Sequence, residues 1–331
     1  MGDPTFTCPR CFHTAPRRPD VRFCPHCGLP DAQAAALDTS PLDVAVGPRT
    51  YRVLDRLANG SICSLYRCQF TEDSRQVECI FKIASDPRTN RLVTNEADVL
   101  RRLHALDIEQ RFTPFLPTVQ ESFAFADDSP TPRQANILRM HEAIGSPDEL
   151  YTLTEVKSCY PAGLDSRHVA WIWRRLLTVL GFAHTNDVVH CAILPAHILI
   201  EPREHKLILV DWCAAQHEPH RIHTPPAIIS GSHMAWYKRQ GGTRTPPTPA
   251  LDIGLAARSM IDLLGGDPVG AHFPAGVAPA LQRHFQRCLG TGPASHLDAH
   301  QLLDDFDRLI EVLWGPRKFA ILTLPPKTHR S

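Results

Sequence analysis

Residues 188–200 read VVHCAILPAHILI. Two histidines and a proline are spaced through an apolar frame, and no carboxylate occurs in the stretch. Its flanks show what it connects. Before it, SRHVAWIWRRLLTVLGFAH (166–184) has the apolar spacing of a helix, and after it the short run LILV leads into Asp211 in LILVDWCAA (207–215). Helical periodicity returns in LDIGLAARSMIDLLGG (251–266) and DAHQLLDDFDRLIEVLW (298–314), so the second half of the chain is predicted to be mostly helical.

The first half reads differently. Short β-rich runs, YRVLDRLA (51–58), SICSLYRCQF (61–70) and VECIFKIA (77–84), are separated by turn-prone stretches such as the one around Asn59-Gly60, which predicts a meander. A helix is predicted in NRLVTNEADVLRRLHAL (90–106), where Leu92, Ala97, Leu100 and Leu103 fall near one face. Further strands are predicted within 117–126 and 135–143. The reading is an α+β fold of two lobes, β-rich then α-helical, with a cleft between them.

Composition bounds the function. The 331 residues are 43% hydrophobic and 21% charged, ordinary for a folded domain with a smaller companion. Thirty-five basic residues balance thirty-five acidic ones, so the summed charge gives no reason to expect nucleic acid or a membrane surface as partner. No apolar run reaches the roughly 18 residues of a membrane helix, and MGDPTFTCPRCF lacks the apolar core of a secretory signal, so a cytoplasmic setting is expected.

Four of the eleven cysteines form two matched pairs, Cys8-Pro-Arg-Cys11 and Cys24-Pro-His-Cys27. A CxxC turn aims two thiolates at one point, and two such turns complete a tetrahedral sulfur cage, for which zinc is the usual occupant. This unit of about 30 residues resembles a zinc ribbon and is too small to bury a core unaided, so metal is expected to supply its folding energy. Cys8, Cys11, Cys24 and Cys27 fill all four positions, which makes the zinc structural. The stretch from Pro30 to Gly47 reads as a linker with room for one short helix.

In order and spacing, the body of the chain resembles the Ser/Thr protein kinase superfamily over roughly residues 50–313. Lys82 in ECIFKIA sits like the lysine of the third strand and Glu96 in NEADVL like its helix partner. VVHCAILPAHILI resembles the catalytic loop, LILVDWCAA the metal-binding segment, and LDIGLAARSMIDLLGG the buried helix that begins with an aspartate, here Asp252. A weaker likeness lies in FQRCLGTGPASHLDAHQLL (285–303). The implied layout is a zinc ribbon (1–30), a linker (31–49), a kinase-like N-lobe (50–142) and C-lobe (143–315), and a C-terminal tail (316–331).

The resemblance assigns roles residue by residue. Lys82 would contact ATP phosphates, Glu96 would orient it, and Asp211 would hold magnesium. Gly60 is the one glycine left in the phosphate-covering loop of 57–63. His190 matches the family histidine and Pro195 is kept, but Cys191 stands for arginine, Ala192 for the aspartate that accepts the substrate proton, Leu194 for the phosphate-contacting lysine, and His197 for the metal-binding asparagine. Alanine accepts no proton and leucine neutralises no phosphate. Asp187 lies too early in the loop to serve as a substitute base. Asp252 would hold the loop backbone by hydrogen bonds.

The resemblance therefore implies a pseudokinase: a domain with no catalytic residue in place, with ATP and magnesium as its implied ligands beside structural zinc, acting on a protein partner as scaffold or allosteric regulator. The alternatives are an active but divergent Ser/Thr kinase or other ATP-dependent transferase, and an interaction module that binds no nucleotide.

Overall fold

The computed structural model describes residues 5–8, 14–16, 24, 42–126, 131–222, 224–228, 230–241, 246–290 and 297–327. The chain divides into two compact units, Met1–Ala97 with Thr118–Arg139, and Asp98–Pro117 with Met140–Ser331.

The first unit is built on a six-stranded antiparallel sheet. Its strands are β3 (Leu42–Val46), β4 (Arg49–Asn59), β5 (Cys63–Glu72), β6 (Arg75–Ala84), β7 (Thr118–Phe125) and β8 (Arg133–Arg139), in the order β3-β4-β5-β6-β8-β7. Alternation explains the core: Tyr66, Cys68 and Phe70 of β5 face the same side as Cys79, Phe81 and Ile83 of β6 and join Tyr51, Val53, Ala135 and Ile137. Aromatic pairs tighten it, with Tyr51–Phe70 centroids at 5.2 Å and Phe81–Phe125 at 5.8 Å. From Cys79 to Ala84, β6 is buried on both faces, as its unbroken CIFKIA demands.

Helix α1 (Asn90–Leu106) matches the bounds expected from its periodicity and is divided between the units, its residues up to Ala97 belonging to the first. The stretch expected as linker departs from that reading at its end. Leu42–Val46 forms β3, paired with β4 from Leu42↔Val53 to Val46↔Arg49. LDVAV buries Val44 and packs Leu42 and Val46 against the core, a period-2 pattern too short to stand out beside the alanine-rich run before it. Two short strands, β1 (Thr5–Thr7) and β2 (Thr14–Pro16), pair antiparallel, with Cys8 and Cys11 between them in the sequence.

In the second unit, α3 (Ser166–Thr185), preceded by the short α2 (Leu153–Cys159), is apolar on nearly every side and lies at the centre, buried from Val169 to Ala183 except for a few residues. Further along the chain come α4 (Met234–Arg239), α5 (Pro249–Leu263), α6 (Pro279–Cys288) and α7 (Ala299–Trp314). Trp173 of α3 packs edge-on to Phe285 of α6, and its indole N–H donates to His284 Nε2 at 3.0 Å. Two glycines let backbones meet: Gly163 (φ +109) and Gly265 (φ +82) face each other so closely that a Cβ on Gly163 would stand 2.3 Å from the Leu264 carbonyl.

Short strands complete this unit: β9 (Tyr151–Thr152), β10 (Val188–Val189), β11 (Ile198–Glu201), β12 (Lys206–Leu209) and β13 (Gln216–His217). β11 and β12 form a hairpin with β9 on its edge, and β10 pairs with β13.

The expected tail is bound to this unit over its described length. Tyr160 Oη donates to the Thr323 carbonyl and Tyr151 Oη to that of Pro325, at 2.5 and 2.8 Å; His205 Nε2 reaches the Ala320 carbonyl at 2.7 Å. Phe319 stacks on His205, which stacks in turn on Trp171, and Leu322 is buried. Lys327 closes the strap on Glu155 at 3.1 Å.

Candidate functional site

In the first unit, β6 carries Lys82 and α1 carries Glu96, and the structure brings the two together: Nζ to Oε1 is 2.8 Å, with side chains 3% and 0% exposed. Such a pair is costly to desolvate and holds only when its remaining oxygen is satisfied. Asn136 of β8 does this, its Nδ2 lying 3.3 Å from Glu96 Oε2 and donating to the Val93 carbonyl at 2.8 Å. Ser122 then donates to Asn136 Oδ1, and Gln134 to Ser122, both at 2.8 Å. Asn136 was not foreseen as a site residue; its one signal was an amide inside the otherwise apolar run ANIL.

Gly60 sits in the turn between β4 and β5. Its amide donates to the Cys63 carbonyl at 2.9 Å, and a Cβ there would come within 3.3 Å of that same oxygen. The turn is also tied to the segment after β6. Ser85 N–H and Thr89 Oγ1 both donate to the Ile62 carbonyl at 2.8 Å, and Ser85 Oγ donates to the Gly60 carbonyl at 3.0 Å. Ile62 packs with the cluster of Cys63, Ala84 and Val93.

In the second unit, the loop of 190–197 is held from beneath by Asp252, which is fully buried on α5. Asp252 accepts from the backbone N–H of His190 at 2.7 Å and of Cys191 at 2.8 Å, and His184 Nε2 meets the same carboxylate at 3.0 Å. The role implied for Asp252 by the resemblance is thus visible in the geometry, with His184 as a further partner. His190 is locked too: Ala192 N–H donates to its Nδ1 at 3.2 Å, so Nε2 carries the hydrogen that reaches the Val210 carbonyl at 3.1 Å. Burial, against the pull of Asp252, lowers its pKa to about 4, which keeps the ring neutral. Cys191 takes a left-handed φ of 67°, its thiol is pushed well up by burial, and Tyr237 Oη donates to its carbonyl at 3.0 Å.

Two of the loop positions, 192 and 194, carry neither an acid nor a base. Ala192 and Leu194 are buried apolar side chains. His197 places Nδ1 at 2.8 Å from the Ala192 carbonyl and Nε2 at 3.1 Å from Asp211 Oδ2. Both partners are oxygen acceptors. Asp211 follows β12 in a left-handed conformation (φ 64°, ψ 60°). Trp212 next to it is fully buried, donates its indole N–H to the Leu209 carbonyl at 2.9 Å, and lies edge-on to His190 at 4.5 Å.

Two implied metals can be compared with these donors. Magnesium takes oxygen ligands at about 2.0–2.1 Å in octahedral array. His197 offers nitrogen, and it stands at hydrogen-bond distance on the Asp211 carboxylate that would bind the ion. Of these two side chains, Asp211 alone supplies the oxygen that magnesium takes. Zinc is matched by thiolates. Cys8 and Cys24 are buried, while Cys11 and Cys27 lie outside the described residues. No helix among the described residues is long and apolar enough to cross a membrane.

No protein-family model matches the chain. Its fold is similar to that of 1709 chains of known structure, so the likeness is to a widely used scaffold and brings no activity with it. One of them is the crystal structure of a BubR1 kinase domain, 15% identical, with a TM-score of 0.60 over 82% of this chain and 84% of that one. The fold is kinase-like.

Proposed function

We propose that this chain is a pseudokinase: a two-lobed kinase-like domain that binds ATP but transfers no phosphate, and that acts in the cytoplasm as a scaffold or allosteric partner of another protein. One observation carries the reading. The frame of the catalytic loop is intact, with Asp252 on the His190 and Cys191 amides and His190 on the Val210 carbonyl, while Ala192 and Leu194 fill the chemical positions with apolar carbon. Positioning survives where acid–base and charge chemistry do not. The preformed Lys82–Glu96 pair supports a retained nucleotide function.

Transfer of labelled γ-phosphate tests the catalytic half of this reading, with none expected from the wild type. Transfer that is abolished in Asp211→Ala would establish an active kinase instead. Thermal unfolding with millimolar ATP tests the other half, since a ligand of the folded state must raise its stability.

A specific observation favours a second reading, in which no nucleotide binds. The Gly60 N–H, a donor of the kind that binds phosphate, is engaged by the Cys63 carbonyl, and Ser85 and Thr89 anchor the same Gly60–Ile62 turn, which in the family covers phosphates. Absence of any thermal shift with ATP would select this reading.

The N-terminal unit is proposed as a zinc ribbon and docking element, with Cys8, Cys11, Cys24 and Cys27 as ligands. Elemental analysis should find zinc that is absent from a Cys8→Ser, Cys24→Ser variant.

A further inference from the structure

Residues 319–327 lie on the second unit in a manner unlike core packing. Leu322 is the one buried side chain in the segment, while two large apolar ones, Phe319 and Ile321, stay 63% and 62% exposed. The attachment is made mostly through the main chain. His205 Nε2 takes the carbonyl of Ala320, Tyr160 Oη that of Thr323 and Tyr151 Oη that of Pro325. Every residue offers a carbonyl, so these contacts fix the path of a segment without fixing its sequence.

Sequence enters at the far end. Pro325 and Pro326 have no N–H, and each proline holds the residue before it extended, so Leu324 and Pro325 present their carbonyls outward in no helix. Lys327 then sets Nζ 5.2 Å from the centre of the Tyr151 ring and 3.1 Å from Glu155 Oε1. That carboxylate is positioned beforehand: its Oε2 accepts from the Thr152 N–H and Oγ1 at 2.7 and 2.9 Å, in the capping box that opens α2. One apolar anchor, carbonyls met by tyrosine hydroxyls, paired prolines and a cation are the means by which aromatic-lined surfaces hold extended proline-rich peptides.

We propose that the face bearing Tyr151, Glu155, Tyr160 and His205 is a docking site for an extended segment of a partner protein, a leucine followed three residues later by Pro-Pro-Lys, and that residues 319–327 are its tethered occupant. The site supplies the chemistry of the partner expected of a scaffold, on which reading it rests, and it stands whether or not nucleotide binds. A second copy of the chain gains nothing here, since its own segment is already seated on its own unit. A partner's segment gains where its anchors fit better than Phe319 and Ile321, which leave most of their surface in water.

The test uses the folded full chain with a protease site inserted after Pro316, in the exposed run before the segment, and cut there so that the segment is no longer tethered. A fluorescent peptide of residues 318–327 should replace the resident segment, read by anisotropy. It should bind the uncut chain at least about tenfold more weakly, because there the tethered copy competes at about millimolar effective concentration. A peptide that keeps Leu322, Pro325, Pro326 and Lys327 in an alanine background should bind the cut chain within about tenfold of the native sequence, and Lys327→Glu in the peptide should weaken binding by about fivefold or more. Binding confined to the native sequence, or indifferent to Lys327→Glu, overturns the proposal. So does a cut chain that never exchanges its segment or that unfolds as the segment leaves, since the segment is then part of the fold. Equal binding to cut and uncut chains places the peptide elsewhere and overturns it as well. If the insertion is not tolerated, Leu322→Asp in the uncut chain frees the segment and is read with the same peptides. None of these outcomes bears on the ATP and phosphate-transfer tests of the pseudokinase reading.

Discussion

At the scale of single residues, the Lys82–Glu96 pair offers the sharpest measurement. Both groups are buried, and Glu96 divides its oxygens between Lys82 and Asn136. Removing one partner leaves an uncompensated buried charge. Lys82→Met is therefore expected to cost about 3–5 kcal/mol in urea unfolding, and the double variant Lys82→Met, Glu96→Leu to recover much of it. A loss below about 1 kcal/mol in the single variant would show that the pair is solvated in solution. Asp252 belongs to the same class: Asp252→Ala strands the N–H groups of His190 and Cys191, at about 1–3 kcal/mol for each orphaned donor.

At the scale of elements, the α3–α6 contact carries a pH dependence. His284 accepts from Trp173, and burial, reinforced by nearby Arg287, lowers its pKa from 6.5 to about 4. Between those values the unfolded chain binds the extra proton and the folded one does not, so stability is lost as pH falls through that window. One such group contributes about 2–3 kcal/mol of difference between pH 7 and pH 4.5, and His284→Gln should flatten that part of the urea-unfolding profile. The glycine contact between 163 and 265 is the other element-level test. Gly163→Ala meets both a left-handed φ and the Leu264 carbonyl, and should lower stability by about 1–3 kcal/mol.

The same scale shows what the sequence discloses. The helix over 90–106 was readable because its apolar residues recur with one period through four turns, and the loop at 188–200 because His190 and Pro195 keep their spacing. Strand β3 was not, since five alternating residues resemble a linker until β4 is set beside them. Asn136 and His184 were missed for a different reason. Each gains its role from a partner tens of residues away, Glu96 and Asp252, and no local pattern encodes that encounter. The His197–Asp211 contact likewise depends on the β11–β12 register, which the two separate residues do not reveal.

At the scale of the whole molecule, the kinase-like fold is kept on a sequence with 15% identity to the BubR1 kinase domain. Residues 319–327 pack on the second unit. Truncation after Gly315 removes buried Leu322 and the carbonyls that satisfy Tyr151, Tyr160 and His205, and should lower unfolding free energy by about 2–4 kcal/mol in a denaturant titration. Unchanged stability would mean that the strap contributes nothing to the fold.

The order of the strap's attachments has a mechanical meaning. Lys327, Pro325, Thr323, Ala320 and Phe319 meet their partners one after another along the chain. A load applied at the C-terminal end therefore falls on one contact at a time, and the segment peels like a zip before α7 is pulled. A tether or neighbour pulling on this end would strip the strap and uncover Tyr151, Tyr160 and the Trp171–His205 stack before disturbing the helices.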